Sequence, residues 1–263
     1  MLYLLSPAKS LDYDTPVSAA SRAASTTPRF MVQTRELMAL LKTKTTAEVA
    51  ALMDLSEPLA ELNVARYQAW STRFTAKNSR PAVLAFNGDV YAGLQAKTLG
   101  ADDLAWAQQH VAILSGLHGV LRPMDRLQPY RLEMGTALAN PHGRNLYAFW
   151  GDSVATYLRK RLAGHTAPVI VNLASQEYFH AADRKALNAR VIECVFEDWQ
   201  AGRYKVISFF AKRARGAMAR HAIEHRIVSP EALVSFRNDG YRHAPSVSEP
   251  DRLVFRRRID AAK

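Results

Sequence analysis

The sequence predicts a single α/β domain with a mixed sheet flanked by helices. Short, fully apolar runs alternate with helical stretches, which is typical of parallel strands buried on both faces. Two further apolar runs are joined by a short glycine-containing turn, which predicts an antiparallel pair in the same sheet. The chain has 263 residues, enough for one large core. No polar linker divides it, so we expect one domain over residues 1–255 and a basic tail over 256–263.

The first third begins with an apolar strand and continues in helices. Residues 2–6 (LYLLS) predict the strand. Residues 14–28 are rich in Ser, Thr, Ala and Pro without an apolar period, which indicates a surface loop. Three helices are expected next, and their starts are marked by Phe30, by a capping box of Thr45 with Glu48, and by Ser56 with Pro58.

The middle third alternates strands and helices. The predicted strands are 82–86, 111–114 and 169–173, and the predicted helices are 89–96, 102–110 and 151–162. In the last third, residues 191–196 and 204–210 predict a hairpin with its turn at 199–202. A basic helix over 211–225, a short helix from Ser229 and an edge strand at 253–255 complete the pattern.

Composition bounds the compartment and the class of partner. There are 35 Lys and Arg against 24 Asp and Glu, a net charge of +11, which favours polyanions and leaves nucleic acid, anionic lipid and acidic protein open. The single cysteine, Cys194, excludes an internal disulfide and fits a reducing compartment. No uncharged apolar run approaches ~20 residues, and residues 1–5 are too short for a signal peptide. We therefore expect a cytoplasmic protein without a membrane partner.

The densest basic cluster lies in the last third, where Glu224 is the one acid among its cations. Its members are Arg203, Lys205, Lys212, Arg213, Arg215, Arg220 and Arg226. On a helix, Arg213 and Arg220 lie on one side with Lys212 beside them, whereas Arg215 falls nearer the apolar side and is expected to be paired or to line a cleft. Such a face can neutralise DNA phosphates. The alternative is a solvated helix face.

Two further segments can contact phosphates through their backbone. Gly116 and Gly119 follow a strand, and Arg122, Arg126 and Arg131 can complete an anion site there. The alternative is a tight turn whose arginines pair with neighbouring acids. Residues 89–110 have the outline of a helix-hairpin-helix with Lys97 in its connection, or of an ordinary helical corner.

Candidate chemistry is sparse. Lys9, Asp89 and Glu133 are expected at the carboxyl ends of strands, where α/β proteins bind ligands; Lys9 can serve as an amine nucleophile or hold a phosphate, and a buried ion pair is the alternative. His221 and His225 in an H-x-x-E-H pattern suggest zinc, but no third ligand is evident. We expect no metal and no cofactor.

Six blocks of the sequence together resemble the YaaA peroxide-stress proteins. They are 6–12 (SPAKSLD), 86–91 (FNGDVY), 114–123 (LSGLHGVLRP), 129–134 (PYRLEM), 172–175 (NLAS) and 207–216 (ISFFAKRARG). The blocks occur in order and at similar spacing from residue 1 to about 255. The sequence departs at His118, where the resemblance predicts a tyrosine and where any stacking role of the turn would change, and in the tail after Phe255.

The resemblance implies a cytoplasmic bacterial protein that protects against hydrogen peroxide and affects intracellular free iron. It implies a single α/β domain with a helix-hairpin-helix element, here most naturally 89–110, and a positively charged cleft. It also implies binding of double-stranded DNA, including distorted or bubble DNA, and it supplies no reaction.

Two functions from different classes follow. The first is a stress protein that binds DNA mainly through its phosphates, with contacts from Lys97, Arg122, Arg126, Arg131, Lys212, Arg213, Arg215 and Arg220. The second is an enzyme that processes a nucleotide or a damaged base through Lys9, Asp89 and Glu133. An iron-handling protein is a third possibility with less support, because no multi-carboxylate or Cys/His cluster stands out beyond residues 221–225.

Overall fold

The computed structural model describes residues 1–258 as one α/β domain built on a mixed eight-stranded sheet. The strands in chain order are β1 (Leu2–Leu5), β2 (Ser10–Leu11), β3 (Arg80–Pro81), β4 (Phe86–Asn87), β5 (Val111–Ser115), β6 (Gly119–Leu121), β7 (Arg126–Leu127), β8 (Val169–Asn172), β9 (Arg190–Gln200), β10 (Arg203–Lys205), β11 (Arg242–His243) and β12 (Arg252–Arg257). The main sheet has the order β11-β12-β9-β8-β1-β5-β6, with β10 paired to β9.

Five neighbouring strands of this sheet, from β5 through β1, β8 and β9 to β12, run parallel. Antiparallel strands β6, β10 and β11 complete it. Two small ladders, β2 with β4 and β3 with β7, lie outside the main sheet. Strand β1 lies inside the sheet between β8 and β5, and all four of its side chains are buried, as its uninterrupted apolar sequence predicts.

The helices flank the sheet. They are α1 (Ala19–Ala23), α2 (Met31–Lys42), α3 (Thr46–Met53), α4 (Glu57–Ala69), α5 (Ala82–Ala85), α6 (Asp89–Leu94), α7 (Ala101–His110), α8 (Leu146–Trp150), α9 (Ser153–Leu162), α10 (Gln176–Phe179) and α11 (Ser208–Glu224). Short 3₁₀ helices occur at Ala96–Thr98, Lys185–Leu187, Pro230–Ser235 and Pro245–Val247. Among residues 1–258, no helix is both long enough and apolar enough to cross a membrane.

Most predicted elements are confirmed where a local signal marks them. The capping box is present, because the Glu48 amide donates to Thr45 Oγ1 and the Thr45 amide to Glu48 Oε2. Helix α4 starts beside Pro58, as Ser56 and Pro58 predict. The loop predicted over 14–28 contains the short helix α1, capped by Ser18.

Three predictions of secondary structure are wrong. The apolar run at 82–86 is a single helical turn, α5, followed by the two-residue strand β4. The second strand of the predicted hairpin ends at Lys205 and helix α11 begins at Ser208, so residues 208–210 are helical. Strand β12 is not at the edge, because it lies between β9 and β11.

The boundary of the basic tail also moves. Arg256 and Arg257 belong to β12 and pair in register with Glu197 and Asp198 of β9. Arg258 follows the strand, and residues 259–263 of the predicted tail lie outside the described residues.

Helices α6 and α11 pack with their backbones in direct contact. A Cβ added to Gly93 would lie 2.0 Å from the Arg213 carbonyl oxygen, and one added to Gly216 would lie 1.7 Å from that of Val90. Only glycine fits at either position, since real Cβ atoms do not approach a backbone oxygen so closely. This crossing holds the start of α6 against the middle of α11.

Candidate functional site

A cavity of about 440 Å³ opens at the carboxyl ends of β1 and β8. The segment after β1 contributes Ser6 and Lys9, and the segment after β8 contributes Ser175. The other walls come from the start of α6, from residues 130–133, and from α11. Parallel strands end at the same edge of a sheet, so segments distant in sequence converge there.

Lys9, Asp89 and Glu133 line this one cavity, as the sequence predicted. Asp89 begins helix α6 and does not follow a strand of the main sheet, and a shared functional site of the three residues stays a prediction. The chemical role of the three residues stays a prediction. Lys9 is the most accessible of the salt-bridged side chains here, at 63% exposed.

Glu133 holds two cations together. Its Oε2 lies 2.9 Å from Lys9 Nζ, and its Oε1 accepts from Arg131 Nη2 at 2.8 Å. Partial burial would raise the pKa of the Glu133 carboxyl, but hydrogen bonds from Lys9 and Arg131 outweigh it and the pKa is lowered. Glu133 is therefore an anion at neutral pH, and it neutralises part of the positive charge in the cavity.

The loop that carries Arg131 and Glu133 is fixed by buried contacts. A Cβ on Gly116 would lie 2.4 Å from the Leu132 carbonyl oxygen, so the turn after β5 presses against this loop. Tyr67 donates its hydroxyl to the Arg131 carbonyl, and the hydroxyls of Tyr130 and Ser115 lie 2.6 Å apart. The site thus has a rigid wall on this side.

Helix α11 supplies the opposite, more basic wall through Lys212 and Arg215. Neither side chain makes an ion pair within residues 1–258. Asp89 at the start of α6 makes no ion pair with them or with any other described residue. Burial lowers the pKa of the Arg215 guanidinium, and the nearby Glu193 carboxylate partly offsets this. Arginine remains charged in proteins, so this wall presents two cations to the cavity.

Sequence reasoning missed the wall formed by Ser6, Ser175 and Glu177. The Ser175 amide donates to Ser6 Oγ at 2.9 Å, which ties the ends of β1 and β8 together. Glu177 accepts from the Gly135 amide at 2.9 Å. Ser6 and Ser175 follow strands that are far apart in sequence, and only the adjacency of β1 and β8 shows that they meet.

Five of the eight predicted DNA-binding cations are already paired with acids. The pairs are Lys97 with Asp12, Arg122 with Asp125, Arg131 with Glu133, Arg213 with Asp239 and Arg220 with Glu224. Arg131, Lys212 and Arg215 line the cavity, whereas Lys97 lines a smaller one of about 310 Å³ beside residues 15–21. The predicted cations therefore do not all gather in one groove.

Strengths of these pairs differ. Asp125 is fully buried and accepts from the Arg122 guanidinium at 2.9 Å. Arg220 also donates to the Leu94 and Gln95 carbonyls at 3.2 and 3.0 Å, so it joins α11 to the end of α6. Arg213 is 3.7 Å from Asp239 and both side chains are about half exposed, which makes that pair weak.

The turn between Gly116 and Gly119 is buried throughout. Gly119 has a φ of +64°, and a Cβ there would meet the Trp150 ring at 2.8 Å. His118 is fully buried and packs edge-on against Tyr130 at 5.5 Å between ring centroids. Its ring faces the core and does not stack on a ligand at the surface.

The H-x-x-E-H histidines contact protein atoms. His221 Nε2 lies 3.1 Å from Ser235 Oγ, and His225 Nδ1 lies 2.9 Å from the His221 carbonyl oxygen. Within residues 1–258, no group of three or more His, Cys, Asp or Glu side chains is arranged to hold a metal ion.

Comparison with known proteins agrees with the resemblance of the sequence blocks. The family model described as "Peroxide stress protein YaaA" matches residues 1–247. A UPF0246 protein of Polaromonas sp. is 63% identical over 98% of this chain and 99% of its own length. UPF0246 proteins of Verminephrobacter eiseniae and Bordetella petrii are 62% and 61% identical, over 100% and 98% of this chain and the full length of each relative. This chain belongs to the YaaA family of peroxide stress proteins.

Proposed function

We propose that this protein acts in the peroxide stress response by binding DNA through its phosphate backbone. The observation that carries the proposal is the basic rim, which we define as Arg203, Lys205, Lys212, Arg213 and Arg215 at the end of the β9–β10 hairpin and along α11. Its one ion pair within residues 1–258 is the weak contact of Arg213 with Asp239. Surface cations of this kind neutralise phosphates without reading sequence.

Helices α6 and α7 are proposed to act with this rim as a helix-hairpin-helix element. The connection between them runs through the 3₁₀ helix at Ala96–Thr98. Arg220 holds the connection against α11 through the Thr98 hydroxyl at 2.7 Å. In this proposal Lys97 exchanges Asp12 for a phosphate when DNA binds. The other contacts predicted from the sequence, Arg122, Arg126 and Arg131, stay part of the proposal.

A charge-reversal assay tests the binding function. We expect Lys212→Glu with Arg213→Glu to lower the affinity for a short duplex at least about tenfold, because two phosphate contacts become repulsive. Arg220 is left intact, since its guanidinium also joins two helices. The matched control reverses Arg73 and Lys77, two exposed cations outside the cavity, and should change the affinity less than about twofold. Equal losses of affinity in both double variants, or no loss in either, would refute the placement of the DNA-binding surface at the basic rim.

A second function is favoured by one observation, the presence of Lys9, Asp89 and Glu133 in one cavity. In this candidate the Lys9 amine attacks the aldehyde of an abasic sugar and forms a Schiff base with loss of water. Borohydride would reduce that imine to a stable amine. The Lys9–Glu133 ion pair must break before such an attack, so binding without chemistry remains the favoured function.

Trapping with borohydride distinguishes the two. A covalent adduct with abasic DNA that disappears in Lys9→Ala would establish the enzyme. If the wild type forms no adduct and Lys9→Ala binds DNA as tightly as the wild type, DNA binding without chemistry is the function. We propose the cytoplasm as the site of action, and the effect on free iron that the resemblance implies stays a prediction.

A further inference from the structure

Two apolar side chains stand exposed inside the basic rim. Phe209 in the first turn of α11 is 52% exposed, and Val206, three residues before it, is 51% exposed. Most other apolar residues of α11 are buried against the sheet and α6. Leaving a phenylalanine in water forfeits favourable burial, so an exposed pair at one place indicates a contact surface.

Cations surround this apolar point. Arg203 and Lys205 lie on the strand that leads to it, and Lys212 and Arg213 follow one turn later on α11. Because residues four apart share a helix face, Phe209 and Arg213 lie side by side. Lys212, which follows Phe209 by three residues on the same helix, lines the cavity.

The part of α11 that carries Phe209 is held in place by its neighbours. The neighbouring Phe210 packs against the Phe209 ring at 5.6 Å between centroids. The Arg257 guanidinium lies 4.8 Å from the Phe210 centroid and is held by Asp198 at 2.6 Å. A ring fixed in this way loses little conformational entropy when it contacts a partner.

We propose that Phe209 is a wedge that stacks on an unpaired or unstacked base, while the basic rim holds the flanking phosphates. Stacking on an aromatic side chain is available to every base but only where the base pair is open, and apolar wedges enter DNA at opened steps. Phe209 therefore confers a preference for opened over intact duplex. This inference rests on the proposed DNA binding and adds the residue that selects the DNA structure.

A membrane surface fits the same point less well. Helices that bind lipid surfaces present a continuous apolar face, whereas the apolar face of α11 is buried and only Val206 and Phe209 project. A surface that binds nucleic acid requires only one exposed aromatic ring beside a row of cations.

The test compares two labelled DNAs of the same length, one fully paired and one with a central bubble. We expect Phe209→Ala to weaken binding to the bubble about tenfold and to leave binding to the intact duplex within twofold. Phe209→Trp should restore the bubble preference. Leu62→Ala, which shortens another exposed side chain far from the rim in sequence, is the control. A 2-aminopurine in the bubble should change its fluorescence with the wild type and not with Phe209→Ala.

Each outcome decides the inference. Equal losses on both DNAs, or an unchanged bubble preference in Phe209→Ala, overturn the wedge while DNA binding stands. Wild-type protein that binds neither DNA overturns the proposed function itself. Binding to phosphatidylserine vesicles that is lost in Phe209→Ala, with DNA binding unchanged, overturns the wedge in favour of a lipid surface. Equal melting temperatures of the variants ensure that lost binding is not lost folding.

Discussion

At the scale of single residues, the ion pair between Asp198 and Arg257 joins β9 to β12. The carboxylate and guanidinium side chains are only 2% and 11% exposed, and Arg257 Nε lies 2.6 Å from Asp198 Oδ1. The guanidinium is sandwiched between the rings of Phe210 and Tyr241, 4.8 and 4.3 Å from their centroids. Its Nη2 has no hydrogen-bond partner within residues 1–258, so its charge depends on Asp198.

We predict that Asp198→Ala destabilises the fold by about 3–5 kcal/mol, because it leaves the Arg257 charge buried without compensation. Urea unfolding measures the loss. Glu197→Ala is the matched control, since Glu197 pairs with Arg256 at 2.8 Å in a more exposed position on the same two strands, and it should cost about 1 kcal/mol or less. Similar costs for the two variants would contradict this difference.

His118 gives the fold a dependence on pH. Burial lowers the pKa of its imidazole from 6.5 to about 3. The unfolded chain therefore takes up a proton before the folded one does, so stability is full above pH 6.5 and falls as the pH drops toward 3. The expected loss from His118 between pH 7.5 and 5 is about 2 kcal/mol.

The measurement is urea unfolding at both pH values for the wild type and His118→Asn. Asparagine does not titrate, so the variant should lose about 2 kcal/mol less between pH 7.5 and 5 than the wild type, whatever its stability at neutral pH. Burial also lowers the pKa of His165, to about 4, and that dependence should remain in the variant. An unchanged pH slope in His118→Asn would show that other groups carry the effect.

At the scale of elements, the α6–α11 crossing sets the geometry of the cavity. We predict that Gly216→Ala destabilises the protein by about 1–3 kcal/mol, because the added methyl group forces the two backbones apart. The same shift displaces the part of α11 that carries Lys212 and Arg215, so DNA affinity should fall too. Gly164→Ala is the control, since a Cβ at Gly164 meets nothing within 4 Å. Thermal unfolding measures the loss of stability, and the duplex-binding assay measures the loss of DNA affinity.

Local sequence signals predicted elements well only where the signal was specific. A capping box defines α3 because its two hydrogen bonds lie within four residues. The apolar run at 82–86 had no such marker, and a short apolar run fits a strand or a buried helical turn equally well. There, the Ala82 and Val83 amides donate to carbonyls of Asp125 and Pro123, residues about 40 positions away.

At the scale of the whole molecule, the net charge of +11 overstates the number of cations available to DNA. Binding through the five residues of the basic rim predicts that log K falls with log salt with a slope of about −4.5. Binding through all eight residues predicted from the sequence would give about −7. A salt series of duplex binding separates the two. A slope near −7 would show that the ion pairs of Lys97, Arg122, Arg131 and Arg220 open on DNA.

Much of the candidate site could be predicted, and its charge balance could not. The positions of Lys9 and Glu133 relative to the strands and loops placed them at one cavity, since carboxyl ends of parallel strands converge. The pairing of Lys97 with Asp12 joins residues 85 positions apart, and no local pattern contains it. Arg220 was expected on a solvated or DNA-binding face, but it donates to the carbonyls that end α6.

The sequence by itself determined the α/β class, the family, most of the helices and strands, and the surplus of positive charge. Those features depend on periodicity, capping and composition, which act over a few residues or over the whole chain. Only the tertiary structure decided the strand order, the backbone contact at Gly93 and Gly216, and which cations are left without an acid. Those depend on distances between residues remote in sequence, because an ion pair forms between whichever charges the packed core brings within reach.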